Sequence, residues 1–237
     1  MKAAIFDSSR NTPGNFVAIE DVPRPVLQPG CVVLKVIACG VCRTDLHIVE
    51  GDLPSLRPRL IPGHQIVGEV VEGETAEFPI GMRVGVSWMG GVDGTCWYCQ
   101  HGMENLCDSP TFTGYTVNGG YAEYVLVRSD FIFPLLAGLD DAHAAPLLCA
   151  GMIGFRSLRV AGIEPGERVG LYGFGSSATL LIHILQAWKC DVYVVTRATL
   201  TARPRYLSER RGWAANRISR PCLSTVPSRS LRVETLS

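Results

Sequence analysis

The pattern of the chain changes character near residue 140, and that change constrains the fold more than any single residue does. Up to about residue 135 the sequence is a series of short β-runs punctuated by Gly and Pro. Val32–Ile37, Ile66–Val71, Arg83–Val86 and Gly120–Val127 read as strands, the last following an Asn118-Gly119 turn. Many short strands in one block predict a barrel-like β domain over residues 1–150. From Asp140, a residue suited to capping a helix, the chain turns to Ala142, Ala144 and Ala145. Glu167–Tyr172 then reads as a buried strand, Gly173–Ala178 as a Gly-rich turn, Thr179–Trp188 as an apolar helix and Asp191–Thr196 as a second strand. One such βαβ unit predicts a parallel α/β segment over residues 151–197, so the expected class is α/β with a β-rich N-terminal domain.

The 237 residues suffice for one large or two small domains. No apolar run reaches the roughly 18 residues that span a bilayer, and the N-terminus lacks a signal-peptide core. The expectation is a cytoplasmic protein without a membrane partner. Its nine cysteines are then read as metal ligands and buried thiols. The zero net charge conceals an asymmetry, since residues 198–237 carry eight Arg, no Lys and two Glu, a balance of +6 against −6 before them. Only a weak helical stretch, Tyr206–Asn216, interrupts that Ser-rich, Arg-rich tail. Its composition leads to the expectation of an out-of-frame translation of a longer gene, against the alternative of a genuine basic tail. The arginines are scattered and no stacking platform accompanies them, so no nucleic-acid partner is expected.

Cys42, His64 and Cys149 offer two thiolates and an imidazole with no fourth protein ligand, the donor set of an open catalytic zinc site. Thr44 and His47 follow the first of them by two and five residues. Taken singly, a Cys is more often a small buried hydrophobe and a His a satisfied side chain, and spacing alone leaves that reading open. A second cluster, Asp93-x-x-Cys96-x-x-Cys99-x7-Cys107, has the tight spacing of a structural zinc site, with Asp93 in the first position. An emptied lobe with three reduced thiols is the alternative. The turn GFGSSA follows a strand and opens a helix, the context a dinucleotide fingerprint requires. Gly173 allows the tight turn, Gly175 the approach of a pyrophosphate to the helix N-terminus, and Ala178 close packing. Thr196 and Arg197, where a ribose-binding acid usually stands, suit a 2′-phosphate, which favours NADP over NAD. Cys31, Cys39, Cys190 and Cys222 read as ordinary thiols.

The segments ACGVCRTDLH, PGHQIVGEV, the cysteine lobe 93–107, GGYAEYV, LLCAG and YGFGSSA occur in the order found in zinc-dependent medium-chain alcohol dehydrogenases, and residues 1–197 resemble that family. The resemblance implies a GroES-like β domain followed by an incomplete Rossmann domain, with a tail of doubtful fold. It implies that Cys42, His64 and Cys149 hold a catalytic zinc, that Thr44 and His47 form a proton relay, and that Asp93, Cys96, Cys99 and Cys107 hold a structural zinc. Asp45 would steady the ligating His, and Gln65 stands where the family usually has Glu. Arg43 matches a pyrophosphate contact and Trp88 a substrate-pocket aromatic. The implied reaction is alcohol + NAD(P)+ to aldehyde or ketone + NAD(P)H, in a family that is usually homo-oligomeric. A catalytically inactive zinc-binding remnant, a zinc-independent reductase and a polyol dehydrogenase are the rival readings.

Overall fold

Val32, Val33 and Leu34 are consecutive and none is exposed, so the strand that carries them must be covered on both faces. The computed structural model describes residues 1–10, 17–73, 75–195 and 232–235. The chain divides into two compact units, Met1–Cys149 and Ala150–Ser237. In the first unit the strands are β1 (Lys2–Asp7), β2 (Ala18–Asp21), β3 (Cys31–Gly40), β4 (Arg59–Leu60), β5 (Gln65–Glu72), β6 (Arg83–Val86), β7 (Met89–Gly91), β8 (Thr111–Phe112), β9 (Tyr124–Arg128) and β10 (Ile132–Pro134). Its helices are α1 (Arg43–Glu50), α2 (Trp97–Gln100) and α3 (Asp141–Pro146).

Strand β3 lies inside an antiparallel sheet ordered β10-β6-β5-β3-β9. One face packs Val32, Leu34, Ile66, Val70, Val84 and Val125 into a single apolar cluster. The alternate residue Val67 points to the opposite face, where Ala144 and Ala145 of α3 and the following Leu148 close over it. Each fully buried Val or Leu contributes about 1.5–3 kcal/mol to this arrangement. Asp140 caps α3 by accepting a hydrogen bond from the His143 N–H at 3.0 Å.

One expected strand is shorter than its alternation suggests. Gly120–Glu123 precede β9 because most of their backbone bonds go elsewhere: the Gly120 N–H donates to Gly63, that of Tyr121 to Pro62, and the Tyr121 carbonyl accepts from Ala4, while only the Glu123 carbonyl accepts from Val36 of β3. The chain there wraps the loop that carries His64 instead of extending the sheet.

The second unit contains α4 (Met152–Ala161), β11 (Arg168–Tyr172), α5 (Ser176–Ala187) and β12 (Asp191–Val195). Leu158, Val169, Leu171, Leu181 and Leu185 form its core. β11 pairs in parallel with β12, and on its other side with β13 (Arg232–Thr235). That last strand was not expected in a tail read as having no period. Four residues alternating charged and polar with one Val carry no hydrophobic signal. The predicted helix Tyr206–Asn216 and Cys222 lie outside the described residues. Helical residues also run from Asp141 to Ala161 through a π-turn at Leu147–Gly151. These 21 residues are long and apolar enough to cross a membrane by length and composition, where no such run was expected. Helical continuity past Pro146 makes the length. The Ala144 and Ala145 face is committed to the sheet.

Candidate functional site

Gly40 and Gln65 face each other in the antiparallel register of β3 and β5. Cys42, two residues beyond one strand, and His64, one residue before the other, therefore leave the sheet at the same end. The Cys42 N–H donates to Asp45 Oδ2 at 2.8 Å, closing the first turn of α1 as a capping box does. Ile48 and Val49 bury the inner face of α1 against Phe6 and Leu60, which sets the orientation of Thr44 and His47. The third donor is placed from the other side. Leu148 packs so tightly over Gly85 that a Cβ there would lie 2.5 Å from its Cδ2. Cys149 follows directly.

The ligand atoms of Cys42, His64 and Cys149 all lie within 4.8 Å of one another, and the two sulfurs are 3.9 Å apart. His64 is fully buried. Its Nδ1 is 3.1 Å from Asp45 Oδ1, while its Nε2 has no hydrogen-bond partner among the described residues. A buried imidazole nitrogen left bare is costly unless something fills the place of a partner. Two thiols and one such nitrogen fit a zinc ion and leave its fourth position open.

The protonation of the three donors follows from their crowding. The Cys42 thiol is pulled down to about 3, first by the hydrogen bond from Cys149, then by His64, against the effect of burial. Cys149 is pushed well above the usual thiol range by the Cys42 thiolate and by burial. Burial disfavours the His64 imidazolium, but the Asp45 carboxylate and the Cys42 thiolate outweigh it and raise the ring to about 9. Asp45 is held below its ordinary value: burial works against the carboxylate, and bonds from His64, Cys42 and Tyr121 more than offset it.

Asp45 is saturated with donors. Beside His64 and the Cys42 N–H, it accepts from the Gly63 N–H at 3.2 Å and from the Tyr121 hydroxyl at 3.0 Å. The sequence reading places Tyr121 only in a strand. Thr44 Oγ1 is 3.7 Å from Cys42 Sγ. His47, one turn along α1 and half-buried, has Nδ1 2.6 Å from Asp52 Oδ2. Arg43 is exposed, its Nη2 3.7 Å from Glu50 Oε2. Gln65 is buried against Gly40, where a Cβ would lie 2.8 Å from its Oε1. Trp88 stands edge-on to His64 with ring centroids 5.1 Å apart, and stacks on Phe112 at 4.9 Å and Tyr115 at 5.9 Å. Phe112 and Tyr115 extend an aromatic wall of which sequence reasoning found only Trp88. Their only signal was the clustering of aromatics in residues 112–115.

In the second cluster the donor atoms of Asp93, Cys96, Cys99 and Cys107 again lie within 4.8 Å of one another. Cys96 caps α2 and Cys99 sits in its one turn, with sulfurs 3.5 Å apart. Asp93 Oδ1 accepts from the N–H groups of Thr95 and Cys96 at 2.7 and 2.8 Å, and these bonds hold its carboxyl far below the usual range. Its Oδ2 is free to face Cys107 Sγ at 3.3 Å. An oxygen and three sulfurs at these separations fit zinc as well.

In the second unit Gly173 has φ 97°, a left-handed conformation that favours glycine. Gly175 caps α5, and a Cβ built on it would meet nothing within 4 Å. Ala178 is buried in the unit's core. The turn thus presents open space before a helix N-terminus, which fits a dinucleotide pyrophosphate. Thr196 and Arg197 lie outside the described residues.

Residues 28–137 match the alcohol dehydrogenase GroES-like domain. A Mycobacterium tuberculosis (strain CDC 1551 / Oshkosh) protein named "Probable alcohol dehydrogenase AdhA" is 47% identical over 201 residues, which cover 82% of this chain and 57% of that protein. Among solved structures, a cobalt- and zinc-bound thermostable alcohol dehydrogenase from Pyrobaculum aerophilum is 27% identical with a TM-score of 0.73, covering 83% of this chain and 60% of that one. An acetophenone reductase from Geotrichum candidum NBRC 4597 in complex with NAD is 28% identical with a TM-score of 0.71, over 81% of this chain and 57% of that one. The chain spans less than two thirds of the length of these relatives.

Proposed function

We propose that the chain is a member of the zinc-dependent medium-chain alcohol dehydrogenase family, a reading supported by its GroES-like domain match and its similarity to alcohol dehydrogenases, and that it takes part in NAD(P)-dependent interconversion of a small alcohol and its aldehyde or ketone. Cys42, His64 and Cys149 are the residues that would hold the catalytic zinc. Bound there, zinc supplies Lewis acidity towards a substrate oxygen. The chain's own residues supply the rest. Asp45 fixes the ring of His64 through Nδ1, leaving Nε2 as the ligand nitrogen. Thr44 accepts the hydroxyl proton of the substrate beside Cys42. His47, half-buried and steadied by Asp52, passes that proton to solvent. Trp88, with Phe112 and Tyr115 behind it, walls the substrate with flat apolar surface.

Gly173, Gly175 and Ala178 would seat the dinucleotide, and Arg43 is a cofactor-binding candidate on the family resemblance alone. Asp93, Cys96, Cys99 and Cys107 would hold a structural zinc. The observation that carries the reading is the buried, unpartnered Nε2 of His64 converging with two thiols. The test is the zinc content of the purified protein together with NADH- and NADPH-dependent reduction of a panel of small aldehydes. Two zincs per chain with turnover support a working dehydrogenase. Zinc without turnover supports a metal-loaded remnant, and absence of zinc removes the reading.

A further inference from the structure

Three of the four donors to Asp45 are dictated by the fold or by the metal ligand itself: the N–H groups of Cys42 and Gly63, and the His64 ring. The fourth, the Tyr121 hydroxyl, is a choice of side chain. Tyr121 is also clamped to the loop that carries His64. Its N–H donates to the Pro62 carbonyl at 3.1 Å, and its own carbonyl accepts from the Ala4 N–H at 2.8 Å. Its ring fills the space over Gly63, where a Cβ would lie 2.7 Å from Tyr121 Cδ1. Gly63 itself has φ 95°, so the loop and the ring require each other. The hydroxyl reaches the Gly40 carbonyl at 3.3 Å as well, which ties the end of β3 to the same point.

We infer that Tyr121 is a positioning residue for the metal centre: it locks the Asp45 carboxylate, and through it the direction of His64 Nε2. The inference rests on the reading that Cys42, His64 and Cys149 hold zinc. Without the hydroxyl, Asp45 Oδ2 keeps only the Cys42 N–H and gains freedom to rotate about the bond to His64. Groups in direct contact with a ligating His are worth about 10–100-fold in metal affinity. One step further out, about three- to tenfold faster zinc release is expected.

The test uses full-length, zinc-loaded protein and follows zinc transfer to a chromogenic chelator. Cys149→Ser identifies which release phase belongs to the Cys42–His64–Cys149 site. In Tyr121→Phe that phase is expected to accelerate about three- to tenfold, while the phase from the Asp93–Cys107 lobe is unchanged. Cobalt(II) substitution gives a second readout, since a turned imidazole shifts the visible ligand-field bands of the same site. A release phase unchanged in Tyr121→Phe, with unchanged cobalt bands, overturns the inference. So does equal acceleration of both phases, which marks a general loosening of the fold. If wild-type protein shows no phase that Cys149→Ser abolishes, the zinc reading itself fails.

Discussion

Cys42 and Cys149 are 107 residues apart in sequence and 3.9 Å apart at their sulfurs. Asp93 and Cys107 are 14 residues apart, with Oδ2 3.3 Å from Sγ. The first cluster is assembled by the core. The register of β3 and β5 brings in Cys42 and His64, and Leu148 over Gly85 delivers Cys149. The second is assembled by a single loop with two short helical turns, α2 and a 3-10 turn at Glu104–Leu106. Each set has one buried donor, His64 with no exposure at all in the first and Cys107 in the second, but the first set is tied to strands and a packed helix of the core. Packing therefore holds the first set of donors in place with or without a metal. The second has little but its own hydrogen bonds, so a metal contributes more of its order.

The sharpest separation of the two is expected from Cys149→Ser. Metal analysis should show one zinc lost and the lobe zinc kept, with turnover down about a thousandfold or more, since Lewis-acid stabilisation is worth several kcal/mol. Loss of both metals would show that the clusters are not independent. Asp45→Asn keeps the ligands but weakens the hold on His64. A fall of about 10–100-fold in zinc affinity at the first site alone is expected in competition with a chelator.

The pH dependence of zinc uptake by the metal-free protein distinguishes the donors within the first site. His64, raised to about 9, and Cys149, raised above it, must both lose protons on binding, while Cys42, near 3, has already lost its own. The affinity should climb about a hundredfold per pH unit below pH 9 and about tenfold above it, one decade per proton released. A flat profile would place the protons elsewhere.

Asp93→Ala removes one lobe ligand and two bonds to backbone N–H groups. A loss of about 1–2 kcal/mol is expected, seen as a fall in Tm of about 2–8 °C. Hydrogen exchange should rise over residues 93–107 and stay constant around His64. The smallest effects belong to the glycine turn. Gly173→Ala strains a left-handed position by about 1 kcal/mol. Gly175→Ala adds a methyl into open space, so Tm should be unchanged, and NADH binding by fluorescence titration should nonetheless weaken.

Local features were the legible ones. The βαβ unit is observed at Arg168–Tyr172, Ser176–Ala187 and Asp191–Val195, close to where hydrophobic runs and a Gly-rich turn place it. Asp93, Cys96, Cys99 and Cys107 meet because their spacing already confines them to one loop. Cys42, His64 and Cys149 were singled out through family resemblance, since nothing in a spacing of 107 residues implies contact. Tyr121, 76 residues from Asp45, had no local signature for its contact, and Phe112 and Tyr115 behind Trp88 had only the clustering of aromatics.

By itself the sequence determined residue chemistry and short-range conformation: which side chains can bind a soft metal, which glycines permit a turn, which runs alternate as strands. Backbone sterics and hydrophobic period act over a few residues, so a reader of letters recovers them. Only the tertiary structure decided that His64 Nε2 is buried without a partner among the described residues, that Asp45 gathers four donors, and that Tyr121 is one of them. These follow from strand register and close packing, where a shift of one residue would turn every side chain to the other face.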